Sequence, residues 1–145
     1  MSTTTSASTT ALPAHAAGGC LCGDIRYRIT AAPLITSYCH CRSCRLATGA
    51  PAAAWVILPL GGLVFDQGTP VEFTSSPGRQ RTFCGRCGTS LTYERVDRPD
   101  SIDIHTATLD DPGAFPPARE IWLDDKIAWM EPNPRFAHYP RTSRG

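Results

Sequence analysis

Short stretches of alternating hydrophobic and polar residues run along most of this sequence, and they predict strands rather than long helices. Residues 24–29 place three apolar side chains, Ile25, Tyr27 and Ile29, on one face and charged side chains on the other, which is the pattern of a strand buried on one side. Residues 53–58 are a continuous apolar run, typical of a strand buried on both faces. We therefore expect a core built from sheets.

The same pattern predicts five more strands between turns rich in glycine and proline. They are residues 63–65, 71–73, 80–83, 90–96 and 101–106. In the last of these, alternation places Ile102 and Ile104 inward and Asp103 and His105 outward. A single helical turn is expected at residues 43–47. The fold class predicted from the pattern is mainly β, with few short helical turns.

Composition predicts one domain preceded by a tail. The 145 residues include 13 prolines and 12 glycines, which suits a single domain of short elements. Residues 1–17 are mostly Thr, Ser and Ala and carry no charged side chain, so they cannot bury enough surface to order themselves. We expect a flexible tail at residues 1–17 and one domain at residues 18–145.

The charge balance argues against nucleic acid and membrane partners. Fourteen Lys and Arg residues against 13 Asp and Glu residues give a net charge of +1, which is too small to attract DNA, RNA or an acidic membrane strongly. No apolar run is long enough to cross a bilayer. The first residues also lack the basic and apolar regions of a secretory signal, and we expect a cytoplasmic protein.

Seven cysteines in three tight clusters carry the candidate chemistry. The clusters are Cys20 and Cys22; Cys39, Cys41 and Cys44; and Cys84 and Cys87. A disulfide framework is the competing interpretation, but it prefers an even number of cysteines and an oxidising compartment. Metal binding therefore explains the spacing better.

Two of the clusters together supply the four thiolates of a closed structural zinc site. Cys84 and Cys87 are separated by two residues and accompanied by Gly85 and Gly88, which permit a tight turn around an ion. The pair Cys20–Cys22 completes the tetrahedron. Such a site would tie the N-terminal strand to the second half of the domain and stabilise the fold.

The three-cysteine cluster is one ligand short of a tetrahedron, and three protein ligands with one open position are typical of catalytic zinc. Two alternatives stay open. His40 or a side chain from another loop could close the site as a fourth ligand, or the thiols could hold no metal. Three thiolates in a mobile loop are also compatible with a second zinc that comes and goes with substrate.

Three thiolates favour a soft fourth ligand, and an incoming thiol fits because coordination deprotonates it. Addition of that thiolate to a small aldehyde, or the reverse cleavage of a carbon–sulfur bond, is the natural reaction. Arg42 and Arg45 flank the cluster and are candidates to meet a carboxylate of an anionic thiol.

Several motifs resemble the glutathione-dependent formaldehyde-activating enzyme family, which also includes centromere protein V. They lie at residues 18–23, 25–27, 39–45, 75–78, 83–89, 108–112 and 121–129. The resemblance covers nearly the whole chain after residue 17. It implies a coiled β fold of the Mss4-like kind with two zinc sites, in which Cys39, Cys41 and Cys44 hold the catalytic ion.

The resemblance also implies the family's activity, condensation of formaldehyde with glutathione, formally a carbon–sulfur lyase reaction. The alternative function is a non-catalytic, zinc-stabilised interaction module. Other polar and aromatic residues are expected to matter less: His105 and His138 are assigned surface or packing roles. The tryptophans, Trp55, Trp122 and Trp129, are expected at the core or its rim, and one of them is a candidate to line a substrate pocket.

Overall fold

This computed structural model describes residues 11–142, which contain eleven strands, one α-helix and three short 3₁₀ helices joined by loops. The strands are β1 (Ala16–Gly19), β2 (Arg26–Ile29), β3 (Ile35–Cys39), β4 (Ala53–Pro59), β5 (Leu63–Gln67), β6 (Val71–Ser76), β7 (Arg79–Phe83), β8 (Ser90–Arg95), β9 (Ser101–His105), β10 (Arg119–Ile121) and β11 (Ala137–His138). The helix, α1, is Arg42–Thr48. The mainly β prediction is confirmed.

The strands form two sheets of unequal size. A three-stranded sheet has the order β1-β2-β5, and an eight-stranded sheet has the order β11-β10-β3-β4-β9-β8-β7-β6. All pairings are antiparallel except those of β10, which runs parallel to β3 and to β11. No helix in the described range is long and apolar enough to span a membrane.

One face of the eight-stranded sheet shares a hydrophobic core with the three-stranded sheet. The buried side chains include Tyr27 and Ile29 from β2, and Val56, Leu58 and Ile104 from the larger sheet. Burying a side chain of this size contributes about 1.5 to 3 kcal/mol relative to leaving it exposed. Because strand residues alternate between faces, this core directs every second residue of β4 and β9 to the opposite face.

The strands predicted from alternation are all present, with ends that shift by up to three residues, and α1 extends the predicted helical turn by one residue at each end. Four strands were not predicted: β1, β3, β10 and β11. β1 begins at Ala16, so the prediction that residues 16 and 17 belong to a flexible tail is wrong. Residues 1–10 of that tail lie outside the described range.

Helix α1 begins and ends with local hydrogen bonds. Cys41 is its N-cap residue, and its Sγ accepts a hydrogen bond from the backbone N–H of Cys44 at 3.3 Å. At the other end Gly49 has φ of 68° and donates to the carbonyl of Arg45 at 2.8 Å, a left-handed conformation that glycine adopts at little cost. The helix therefore holds two cysteines one turn apart, beside the end of β3.

A buried contact between His40 and Glu120 joins the end of β3 to β10. The two side chains are 0% and 1% exposed, and His40 Nε2 lies 2.6 Å from Glu120 Oε1. The second carboxylate oxygen accepts from the backbone N–H of Asn133. The backbone N–H of His40 also donates to the carbonyl of Ile121 at 3.1 Å. This network holds the segment that follows β3 against the parallel strand.

We predict that Glu120→Ala lowers the free energy of unfolding by about 3 to 5 kcal/mol, because it leaves a buried polar ring without its partner. Urea denaturation of the reduced protein measures the effect. The matched control is Glu131→Ala, an exposed glutamate, which should change the free energy by less than about 0.5 kcal/mol. Similar small losses in both variants would contradict the structural importance of the contact.

Candidate functional site

The first cysteine cluster joins two turns that are distant in sequence. Cys20 and Cys22 lie between β1 and β2, and Cys84 and Cys87 lie between β7 and β8. The Sγ atoms of Cys20 and Cys22 are 3.6 Å apart, those of Cys22 and Cys84 are 3.8 Å apart, and all four lie within 4.8 Å of one another. Zinc with sulfur ligands at its usual bond length separates them by about 3.8 Å. The four thiols could hold such an ion.

Backbone N–H groups surround the sulfurs of this cluster. Ile25 donates to Cys20 Sγ at 3.2 Å, and Arg86 and Cys87 direct their N–H groups at Cys84 Sγ at 3.4 and 3.5 Å. A hydrogen bond from the Thr89 hydroxyl, at 3.2 Å, lowers the pKa of the Cys87 thiol to about 5. These donors favour thiolates, which are the form that binds metal.

The second cluster lies at the junction of β3 and α1. Cys39 ends β3, Cys41 caps the helix and Cys44 lies in its first turn, and the three sulfurs lie within 4.8 Å of one another. Cys39 and Cys44 are buried, whereas Cys41 is partly exposed. The geometry could hold one metal ion with a coordination position left for another ligand.

His40 does not belong to this ligand group. Its Nε2 binds Glu120, and among residues 11–142 the cluster consists of three cysteines with no histidine or carboxylate. The interpretation of His40 as a fourth ligand is therefore wrong for this structure. The cause is strand alternation: side chains at positions 39 and 41 turn one way and the side chain at position 40 turns the other.

The three thiols differ in pKa, and therefore in how readily each becomes a thiolate. Hydrogen bonds with Cys39 and Cys44 hold the pKa of the Cys41 thiol well below its usual range, and the positive charge of Arg81 acts in the same direction. The interaction with Cys41 raises the pKa of Cys39. The thiolate is thus concentrated on the most accessible of the three sulfurs.

A cavity of about 460 Å³ opens over this cluster, on the face of the eight-stranded sheet opposite the core. Among its described lining residues, the positive charges outnumber the negative charges by five to two. The charged lining residues are Arg42, Arg79, Arg81, Arg95, Arg119, Asp103 and Asp125. An excess of positive charge in a concave site attracts anions.

The arginines that line the cavity are only partly those predicted. Arg42 is exposed at the rim. Arg45 donates from Nε to the His40 carbonyl at 3.3 Å and does not line the cavity. Sequence reasoning missed the alternating pairs on β7 and β8, Arg79 with Arg81 and Tyr93 with Arg95. Their alternation indicated a shared face, but not what the face covers.

Arg81 is a cavity arginine whose guanidinium group contacts one of the thiols. It is 8% exposed, its Nη2 lies 4.0 Å from Cys44 Sγ, and its guanidinium carbon stands 4.8 Å from the centre of the Tyr93 ring. Arg79 and Arg95 instead face Asp97, at 3.4 and 3.6 Å. Arg81 is therefore directed into the site rather than held by a carboxylate.

Asp103 is another residue whose surroundings the sequence did not predict. Alternation correctly puts it opposite Ile104, but this face lines the cavity and is not open solvent. Burial raises the pKa of Asp103 to about 7, although Arg119 and Arg81 oppose the shift. No described residue forms an ion pair or hydrogen bond with its carboxylate. Asp103 thus offers a cavity-facing group that titrates near neutral pH.

The positions of the histidines and tryptophans agree only partly with those expected from the sequence. His105 is buried, stacks on Trp55 with ring centres 3.8 Å apart, and contacts Ser90 Oγ at 2.9 Å. This packing role agrees with expectation. Burial lowers the pKa of His105 to about 4. Trp55 and Trp122 both line the cavity, one more than expected, while exposed His138 is not a lining residue.

Comparisons with known proteins agree with this architecture. No curated protein sequence matches the chain significantly. Among solved structures, a crystal structure of a Rhodobacter sphaeroides protein has a TM-score of 0.55 and 18% sequence identity, and the match covers 85% of this chain and 98% of that chain. This likeness supports the fold alone, and the mainly β structure with two cysteine clusters is consistent with the Mss4-like fold.

The family model described as glutathione-dependent formaldehyde-activating enzyme matches residues 15–125. That range contains all seven cysteines, all five arginines that line the cavity, and Asp103. Since the match extends over most of the chain and includes both cysteine clusters, the protein belongs to the glutathione-dependent formaldehyde-activating enzyme family.

Proposed function

We propose that this protein is a zinc-dependent, carbon–sulfur lyase-type enzyme that adds a glutathione-like thiol to formaldehyde or another small aldehyde, or catalyses the reverse. The observation that carries the proposal is the three-cysteine cluster, which has no fourth ligand among the described residues and opens on a cationic cavity. A permanently closed site would serve structure only.

Cys39, Cys41 and Cys44 would hold the catalytic zinc, and Cys20, Cys22, Cys84 and Cys87 the structural one. When bound at the three cysteines, zinc supplies deprotonation and positioning of an incoming thiol near neutral pH. Side chains that line the cavity limit the access of water to the site. Trp55 and Ile57 are apolar lining residues of the cavity, and an apolar lining limits the water that enters with the substrates.

The cavity arginines support an anionic thiol as substrate. Arg79, Arg95 and Arg119 line the cavity, where they could bind carboxylates of the thiol in two-point hydrogen bonds. Arg119 already donates to Ser37 Oγ at 2.7 Å, which orients its guanidinium group. A peptide-like thiol with two carboxylates suits this arrangement better than a small neutral thiol.

The backbone of Asp103 lies at a different level of the sheet from the backbone of Cys39. Cys39 pairs with Ala53 and Asp103 pairs with Ile57. Ala53 and Ile57 are four residues apart on β4, a separation of about 13 Å. We assign Asp103 to the far end of the substrate, where its carboxylate would bind an ammonium group. A thiol bearing both carboxylates and an amino group matches this distribution of charge.

Native mass spectrometry of the reduced, full-length protein tests the proposal. We expect two zinc ions per chain and, with glutathione added, an adduct that is lost in Cys41→Ser. One retained zinc and no adduct in the unaltered protein would overturn the proposed role of the three-cysteine cluster. Binding of a macromolecular partner unaffected by Cys41→Ser would favour the interaction module instead.

We predict different outcomes for serine substitutions in the two clusters. Cys41→Ser should abolish turnover but keep the fold, because serine is itself a good helix N-cap. Cys84→Ser should unfold the domain, because it removes a buried ligand that links β7 to the N-terminal turn. Circular dichroism and turnover are measured on both variants. Equal loss of structure in the two variants would contradict a catalytic role for one cluster and a structural role for the other.

We predict that Asp103→Asn stabilises the zinc-loaded protein at alkaline pH. Because the pKa of Asp103 is raised in the fold, the ionised carboxylate costs free energy, and the cost grows as pH rises toward 7 and is complete above it. Between about pH 6 and about pH 8.5 the advantage of asparagine in urea denaturation should increase by about 1 kcal/mol. An advantage independent of pH would contradict the assignment.

A further inference from the structure

A guanidinium nitrogen of Arg81 is buried in the cavity with no hydrogen-bond partner among the described residues. This atom, Nη1, belongs to a side chain that is 8% exposed. A buried donor on a charged group that is left unpaired costs free energy. Arg95 Nε also lacks a hydrogen bond, but it faces the carboxylate of Asp97 at 3.6 Å. Arg81 is the one whose guanidinium group also contacts a thiol, through its other terminal nitrogen.

The position of Arg81 is fixed from several sides. It lies in β7, between β6 and β8, and its guanidinium group stands over the Tyr93 ring. Its other terminal nitrogen, Nη2, is 4.0 Å from Cys44 Sγ. The neighbouring residue Thr82 contacts Thr92 through its hydroxyl on the other face of the sheet. A donor held this firmly needs little reorganisation to meet an anion.

Two anions in the proposed reaction could meet this donor: a carboxylate of the thiol, or the aldehyde oxygen as it becomes negative. The position of the guanidinium group favours the oxygen. Arg81 Nη2 lies 4.0 Å from Cys44 Sγ, so the group lies at the cysteine end of the cavity, where the sulfur of a thiol bound at the three-cysteine cluster would lie. The aldehyde oxygen is two covalent bonds from that sulfur, and the carboxylates of a peptide-like thiol are further away.

We propose that Arg81 is a catalytic residue that donates a hydrogen bond from Nη1 to the aldehyde oxygen and stabilises the alkoxide that forms there. This inference rests on the proposed function. The thiolate lone pair forms the carbon–sulfur bond while the π electrons of the carbonyl move to oxygen. The alkoxide then takes a proton from solvent, which replaces the one lost by the thiol. Arg81 keeps its protons, and nothing is oxidised or reduced.

A purely structural role gives a different expectation. If Arg81 only balances the charge of the three thiolates, removing it would weaken metal binding and leave the chemistry of the loaded protein intact. If it binds a substrate carboxylate, removing it would weaken thiol binding. If it stabilises the alkoxide, removing it lowers the rate at saturation, because the interaction strengthens only as charge develops.

The test compares Arg81→Met and Arg81→Lys in the zinc-loaded, full-length protein. Zinc content is measured by mass spectrometry, the glutathione Kd by calorimetry without aldehyde, and turnover by NMR exchange between free glutathione and its formaldehyde adduct. We expect Arg81→Met to lower the saturated rate about 10²- to 10³-fold, as for other oxyanion donors, with zinc content unchanged and Kd within about twofold. Arg81→Lys should recover part of the rate.

Two controls isolate the effect. Arg28→Met removes an exposed arginine of the three-stranded sheet that pairs with Asp66, and it should leave all three readouts unchanged. Replacing glutathione by 2-mercaptoethanol, which has no carboxylate, should preserve the rate loss in Arg81→Met.

Each contrary result has its own meaning. Loss of one zinc in both Arg81 variants, or a weakened Kd with an unchanged rate, overturns the catalytic assignment and leaves the proposed function standing. A rate loss that disappears with 2-mercaptoethanol overturns it as well. Absence of glutathione binding and turnover in the unaltered protein overturns the proposed function, and this inference with it.

Discussion

The buried contact between His40 and Glu120 determines where the three-cysteine cluster lies. His40 occupies the position between Cys39 and Cys41, and its ring is held on β10 by a carboxylate that is itself bound to the backbone at Asn133. Since neighbouring side chains in extended backbone turn to opposite sides, anchoring His40 on one side directs both cysteines to the other. The helix that starts at Cys41 then brings Cys44 to the same point. The cluster is thus positioned by a contact that contains no cysteine.

One face of the eight-stranded sheet packs in the hydrophobic core, and the opposite face lines the cavity. Val56, Leu58 and Ile104 on one face join the core, while Trp55 and Asp103 on the other line the cavity. The cavity face contains groups that oppose folding: a carboxyl with a raised pKa and a guanidinium nitrogen without a partner. Proteins retain such groups where function needs them and compensate elsewhere. The four-cysteine cluster, which joins turns more than 60 residues apart, is suited to that compensation.

The sequence predicts features that depend on neighbouring residues better than features that depend on contacts between distant residues. Alternation identified seven strands, and cysteine spacing divided the thiols into the same two groups that the structure brings together. β3 was missed because Thr36 and Ser37 are buried polar residues that interrupt its apolar pattern. β10 and β11 are short parallel neighbours whose pairing depends on distant residues. The partner of His40 is 80 positions away, a contact that no local pattern contains.

The positive charge of the cavity could not be predicted from the sequence either, because a net charge does not show where charged side chains lie in the folded protein. The chain as a whole carries a net charge of +1, which conceals the local excess of positive charge over the three thiols. A divalent ion held by three thiolates has one net negative charge, and a substrate thiolate would add a second. Such an assembly is tolerated in a partly buried site only if cations surround it. The arginines of β7, β8 and β10 therefore belong with the cysteines as one electrostatic unit, assembled by sheet register rather than by proximity in sequence.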